Sequence, residues 1–166
     1  MRAVLLLFWG FLFSSCQTSR WTYSSIHTGQ PIYDGKRLTY QVKDPINEPE
    51  LEFLKTQESI LCFCNLLQHY VLSTEENVQT KALQVKTGKE HRIFYAKNLA
   101  GGQRLKISEK DTKWLLQKLL NQEFVFIEAP GSFKLVVDPN KFKRYYKKIN
   151  KDYNALISNK LIDLAL

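Results

Sequence analysis

An apolar run at the start of this chain restricts the cellular compartment in which the rest of the chain folds. Residues 3–13 are all apolar, and only Arg2 and the N-terminal amine carry charge in front of them. A transmembrane helix needs roughly 20 apolar residues, so this run is too short to span a bilayer comfortably. A basic start, a short apolar core and then Ser14 and Ser15 are typical of a secretory signal peptide. Because the run has no polar face, a helix buried in the core is a poorer interpretation. We therefore exclude residues 1–15 from the fold and expect export.

The residues at the end of the apolar run resemble the lipobox of bacterial lipoproteins, as Leu12-Phe13-Ser14-Ser15-Cys16. The two serines and the cysteine match, whereas Phe13 stands where that family has leucine or another aliphatic residue. The resemblance covers residues 1–17 only. It implies that the Cys16 thiol receives a diacylglycerol, that the chain is cut before Cys16, and that the new amine is acylated. In such families an aspartate in second place is typical of inner-membrane retention, so Gln17 favours the outer membrane.

The resemblance leaves two alternatives open. One is cleavage without lipid, since Ser15 suits an ordinary cleavage site although Phe13 is bulky for one. The other is an apolar run that stays uncleaved as an anchor. The lipoprotein interpretation predicts a protein anchored to a membrane of the cell envelope through the lipid on Cys16, facing away from the cytoplasm.

The charge balance restricts the partners of an exported chain. The sequence has 24 basic and 16 acidic residues, and removing the signal peptide takes away only Arg2. A basic protein binds anionic partners, but an exported protein rarely meets nucleic acid. We therefore expect an acidic envelope protein, an anionic lipid or a glycan as partner, and no nucleic acid.

Beyond the signal peptide the chain divides into a tether and one domain. Residues 16–35 are polar, rich in Ser and Thr, and lack a helical period, so we predict a tether. Trp21 and Tyr23 indicate that part of this segment packs. Residues 36–166 are long enough for a single domain with its own core.

The first half of the domain has a strand pattern. Apolar and polar residues alternate over 37–43, which predicts a half-buried strand. Residues 50–55 fit either a short helical turn or a strand. Residues 59–73 are apolar on both faces, which favours a central strand covered on both sides. The same segment also satisfies helical spacing.

The second half adds two hairpins. Residues 81–87 and 91–97 flank Gly88-Lys89, a tight-turn signal, and residues 104–107 provide a third strand. A second hairpin is predicted over 123–128 and 132–137, with Pro130-Gly131 between its strands.

Two helices are predicted toward the C-terminus. Ser108 to Asp111 resembles a capping box in front of a helical apolar face. Asp138 is placed as the N-cap of the last helix, with Pro139 at its first position. Together these elements predict an α+β domain whose largely antiparallel sheet has about six or seven strands, with two C-terminal helices.

The last predicted helix carries the candidate interaction surface. Its basic residues are Lys141, Lys143, Arg144, Lys147, Lys148 and Lys151. One interpretation is a basic amphipathic helix that lies on an anionic membrane or binds an acidic partner. The other is an ordinary surface helix, whose apolar residues at three- and four-residue steps pack on the sheet while the lysines face water. The two are compatible if the lysines also meet headgroups.

The sequence contains no recognisable catalytic motif. Its three histidines, His27, His69 and His91, fall in no nucleophile or metal motif, and there is no phosphate-binding loop. Cys62 and Cys64 lie two apart, which is a poor geometry for a disulfide, so we predict two small buried side chains. We expect a non-enzymatic binding protein without metal or cofactor. The alternative is a hydrolase or a thiol or metal enzyme, with Cys62, Cys64 and His69 as its candidate cluster.

Overall fold

The computed structural model describes residues 20–26, 35–44, 48–56, 59–66, 80–99 and 103–150. These residues form nine strands and two helices. The strands are β1 (Trp21–Ile26), β2 (Gly35–Tyr40), β3 (Glu50–Lys55), β4 (Ile60–Asn65), β5 (Thr80–Thr87), β6 (Glu90–Leu99), β7 (Arg104–Ile107), β8 (Val125–Ala129) and β9 (Phe133–Val137). The helices are α1 (Glu109–Leu120) and α2, which is described over residues 142–150.

All nine strands belong to one sheet, in the order β1-β2-β3-β4-β7-β6-β5-β8-β9. Every neighbouring pair is antiparallel. Strands β1 to β4 form a meander, and β7 joins this half of the sheet to β6-β5-β8-β9. The predicted largely antiparallel sheet with two helices is confirmed, but the predicted number of six or seven strands is too low.

One additional strand, β1, lies inside the segment 16–35 that the sequence assigned to a tether. It pairs with β2 along its whole length, and the Trp21 side chain is only 1% exposed. Ser24 and Ser25 face solvent, so a polar composition concealed a strand whose large buried side chain stands at its first position. Residues 21–26 are therefore part of the sheet and not of a tether.

The two segments that fitted more than one structure are strands where they are described. Residues 50–55 are β3, whose Leu51 and Phe53 are fully buried. Within 59–73, Ile60–Asn65 is β4, paired on both sides by β3 and β7. Residues 67–73 lie outside the described part of the chain. The prediction of a central strand is confirmed over β4, where neighbouring strands occupy both edges. The expected cover on both faces is found for the inner face, whereas neither α1 nor α2 lies on the outer one.

The core lies on one face of the sheet, here called the inner face. Its side chains include Leu38, Tyr40, Leu51, Phe53, Cys62, Cys64, Leu83, Val85, Phe94, Ala96, Leu105, Ile107, Ile127 and Leu135. Both helices cover this face. Trp114 of α1 packs edge-on against Phe94, with ring centroids 5.6 Å apart, and Phe142 of α2 lies 5.8 Å from Phe53. The domain is thus a two-layer structure in which the opposite, outer face of the sheet is not covered by α1 or α2.

Helix α1 begins at the predicted capping residue. The Ser108 hydroxyl accepts a hydrogen bond from the Asp111 backbone N–H at 3.2 Å, which satisfies one free donor of the first turn. The hydroxyl also donates to the Asp111 carboxylate at 2.6 Å. Leu115 and Leu119 point into the core and are fully buried. The position of the cap therefore agrees with the sequence prediction.

Helix α2 begins three residues later than predicted. Asp138 accepts a hydrogen bond from the Asn140 backbone N–H at 2.8 Å, which closes a turn in front of the helix. Lys141 has a φ of 63°, in the left-handed region, so the helix cannot run back through it to Pro139. The Asp138-Pro139 pair is a turn and not the start of the helix, which begins at Phe142.

The first and last strands of the sheet are linked by side-chain contacts. The indole N–H of Trp21, in β1, donates to the Asp138 carbonyl directly after β9, at 2.8 Å. The Asp138 backbone N–H donates to the Tyr40 hydroxyl at 3.0 Å. Because β1 and β9 stand at opposite ends of the strand order, the sheet curves until its two ends meet around α2.

Candidate interaction surfaces

Helix α2 packs through its apolar side and exposes its basic residues. Phe142 and Ile149 are fully buried, and Tyr145 and Tyr146 are partly buried against the core. The exposed cations of the helix are Lys143, Arg144, Lys147 and Lys148, and Lys141 is exposed directly before it. Lys151 lies outside the described residues. The packing expected of an ordinary surface helix is therefore present, and it leaves a row of cations on the surface.

The basic helix lies beside the first strand of the sheet. Phe142 and Trp21 have ring centroids 4.7 Å apart, and the Lys148 ammonium lies 4.5 Å from the centroid of the Tyr23 ring. An ammonium at that distance from an aromatic face is attracted by the ring electrons. These contacts place the cations of α2 next to β1.

The predicted lipid-bearing residue is close to this region along the chain. Cys16 lies outside the described residues, but Trp21 is five residues after it. Five residues span at most about 17 Å when fully extended. Whatever the conformation of residues 17–20, the start of β1 stays within that distance of Cys16. Among the described residues, no helix is both long and apolar enough to cross a membrane.

Cys62 and Cys64 sit side by side on the inner face of β4, both free and fully buried. They lie opposite Ile107 and Leu105 of β7, so their surroundings are apolar. Burial raises the pKa of the Cys64 thiol to about 12, and burial also raises the pKa of Cys62 well above its ordinary value. Protonated, enclosed thiols are poor nucleophiles and poor metal ligands. The prediction of two small buried side chains is confirmed.

The alternative metal or thiol cluster has no support in the described part of the fold. His69, its third member, lies outside that part. Among the residues that are described, no group of three or more His, Cys, Asp or Glu side chains is arranged to hold a metal ion. His91 is exposed on β6, which is separated from β4 by β7 in the strand order.

A buried charge pair lies on the outer face of the first half of the sheet. Glu52 is 6% exposed and accepts hydrogen bonds from Arg104 at 2.6 Å and from Asn65 at 2.9 Å. The Arg104 guanidinium also lies 3.8 Å from the centroid of the Phe63 ring, which it covers. The pair borders an open cleft of about 400 Å³ that Arg37 also lines. Because Glu52 and Arg104 neutralise each other, we assign the pair a structural role.

The outer face of the second half of the sheet carries apolar residues that the sequence analysis did not single out. Ile93, Tyr95, Phe126 and Val136 are between 46% and 66% exposed. A signal for them existed in residues 91–97, where Ile93 and Tyr95 alternate with Phe94 and Ala96. Both faces of β6 are therefore apolar, although only the inner face is covered by the helices.

Comparisons with protein-family models, with characterised proteins and with solved structures gave no significant match.

Proposed function

We propose that this protein is a non-enzymatic lipoprotein of the cell envelope, anchored through a lipid on Cys16, whose domain binds anionic membrane headgroups through α2. One observation supports it above the others. The exposed cations of α2 pack beside β1, through the contact between Lys148 and Tyr23, and β1 begins five residues after Cys16. The lipid and the basic surface would then act on the same membrane.

A lipid and a basic surface complement each other because one acyl chain or a basic surface alone binds a membrane weakly. A single acyl chain holds a protein to a bilayer only marginally, whereas several chains, or one chain with a basic patch, attach it stably. Each Lys or Arg close to an anionic surface contributes about 1 kcal/mol, and added salt screens this attraction. In this proposal the lipid fixes the protein to the membrane and α2 sets how the domain lies on it.

Vesicle binding by a chain that starts at Gln17 and carries no lipid tests the basic surface by itself. We expect it to bind vesicles of equimolar phosphatidylcholine and phosphatidylglycerol but not vesicles of pure phosphatidylcholine. Added salt should release it from the anionic vesicles. Reversal of four cations to Glu, at Lys143, Arg144, Lys147 and Lys148, removes an attraction of about 4 kcal/mol and adds repulsion, so partitioning should fall by roughly a thousandfold or more.

The matched control changes the net charge equally at a distance from α2. Its substitutions to Glu are at Lys86, Lys89, Lys97 and Lys110, all exposed. We expect this variant to keep most of the vesicle binding. If both variants lose binding equally, net charge and not the α2 surface is responsible, and the proposal for α2 is wrong.

A further inference from the structure

The outer face of the second half of the sheet carries a group of exposed apolar residues on both sides of β5. Its members, called the outer patch, are Ile93 and Tyr95 on β6, Phe126 on β8 and Val136 on β9. Phe126 and Val136 are directly opposite each other across the β8–β9 ladder. Strand β5 lies between the two sides and places polar side chains there, because Gln84 pairs with Ile93 and Lys86 pairs with Phe126. Single exposed apolar residues are ordinary, but a group on one sheet face marks an interaction site.

The charges around the outer patch have one predominant sign. Lys86, Lys97 and Lys134 are exposed on the same face of the sheet, and Lys106 is partly exposed next to Lys97. Among the residues of β5, β6, β8 and β9, the acidic residue on this face is Glu128, which pairs with Lys134 at 3.1 Å. A partner that covers both sides of the outer patch must therefore bring negative charge to Lys86 between them and to Lys97 beside Tyr95.

The same charges argue against a second copy of the chain as the occupant. Two outer patches placed face to face would set the lysines of one copy against those of the other. Like charges juxtaposed in an interface cost several kcal/mol. An isologous dimer through this face is therefore disfavoured.

A bilayer also fits the outer patch poorly. Lys86 lies between the two apolar sides of the patch, so insertion of both sides into lipid would carry its ammonium group toward the apolar layer, which is costly. In addition, α2 lies on the inner face of the sheet, so a domain attached through α2 points the outer patch elsewhere.

We infer that the outer patch is a docking site for an acidic protein segment whose own apolar side chains cover Ile93, Tyr95 and Phe126. Carboxylates of the partner would pair with Lys86 and Lys97, and its apolar residues would fill the space between them. Aromatic residues at the centre of such a patch supply most of the binding energy. The choice of protein over bilayer rests in part on the proposed attachment through α2; the patch itself does not.

Photo-crosslinking in the cells from which the sequence derives tests this site on the full chain. Benzoylphenylalanine replaces Tyr95, an exposed aromatic residue, and in a control replaces Lys113, whose side chain is 74% exposed on α1. We expect a protein adduct at position 95 and none at 113. Mass spectrometry of the adduct should map the contact to a segment that contains both acidic and apolar residues.

The affinity of the purified full chain for a synthetic peptide of the mapped segment is then measured. The pair Lys86→Glu and Lys97→Glu should weaken binding about tenfold or more, and added salt should weaken it as well. The pair Lys110→Glu and Lys113→Glu serves as control and should leave it unchanged. Phe126→Ser should also weaken it, and circular dichroism should show that the variant is still folded, because about half of the side chain is exposed.

Four results would overturn the inference: no adduct at position 95, an adduct with lipid alone, an adduct with a second copy, or peptide binding that ignores Lys86 and Lys97. Charge reversal on α2 should leave peptide binding intact. The failure of this site and the failure of the proposed membrane contact are therefore distinguishable.

Discussion

Among the individual residues, Cys62 and Cys64 show most clearly how burial decides what a side chain can do. Their sequence spacing alone is compatible with a metal site, a redox pair or packing. The structure places both thiols in the core, opposite Ile107 and Leu105, where a thiolate would be cut off from solvent. Desolvation is the first cause of both raised pKa values. The side chains act as small apolar groups.

The raised pKa of Cys64 predicts a loss of stability in alkali. The ordinary value is 9.0 and the folded value is about 12, so the unfolded chain loses this proton first as the pH rises. Stability from this group is complete below the unfolded pKa and is lost as the pH climbs toward the folded one. The loss is about 1.4 kcal/mol per pH unit at most.

Urea unfolding of the wild type and of Cys64→Ala, at neutral pH and at roughly pH 10.5, measures this effect. The variant should be about 1 kcal/mol less stable at neutral pH, because it leaves a small cavity. Its free energy of unfolding should fall less than that of the wild type when the pH is raised from neutral to the alkaline value. Equal losses would mean that the Cys64 thiol is not enclosed.

Among the helices, strands and turns, the sequence predicted local structure best where the signal was local. The Gly88-Lys89 turn is one case, since Gly88 adopts a φ of 50° that glycine tolerates. The capping residue Ser108 is another, because a cap involves only four consecutive residues. The buried side of α2 was also predicted correctly from spacing alone, since Phe142 and Ile149 are seven residues apart and both are buried.

The elements that the sequence did not predict depend on distant partners. Trp21 makes β1 a strand by packing against Phe142, which lies more than a hundred residues away, and no local pattern shows this. The start of α2 was misplaced because Lys141 adopts a left-handed φ. The outer patch was not predicted because the sequence of β6 does not show which of its faces the helices cover. In the structure both helices pack on the inner face.

The cap of α1 gives a prediction for a single helix. Ser108→Ala removes the acceptor for the Asp111 N–H and should lower the free energy of unfolding by about 1 kcal/mol. Ser108→Asp supplies another acceptor and should restore most of that stability. Thermal unfolding followed by circular dichroism distinguishes the two. If both substitutions are equally destabilising, the hydroxyl does not act as a cap.

Across the molecule as a whole, Trp21 ties the two ends of the sheet to α2. Its ring lies 4.9 Å from Tyr40 and 4.7 Å from Phe142, and its N–H bonds the Asp138 carbonyl. The strand that would lead from the lipid is thus locked into the fold. Little free chain then separates the anchor from the domain, which favours a domain held close to the membrane.

Truncation of this side chain should destabilise the entire domain. We expect Trp21→Ala to cost about 3–5 kcal/mol, because it empties a large volume of core and leaves the Asp138 carbonyl without its donor. Ser24→Ala, in the same strand but exposed, should change stability by about 0.5 kcal/mol or less. Chemical denaturation of both variants tests this. A small effect of Trp21→Ala would mean that β1 contributes little to the stability of the domain, as expected of a tether.

The proposed function depends above all on the lipid on Cys16, which metabolic labelling with an alkyne fatty acid detects. Cells that produce the full chain should incorporate the label, and mass spectrometry should find acylated Cys16 as the mature N-terminus. Cys16→Ser should lose the label and resist processing, whereas Cys64→Ala, which changes a buried thiol, should keep both. A wild-type protein that never takes up the label, with a mature N-terminus after Cys16, would contradict the lipid anchor and indicate ordinary secretion.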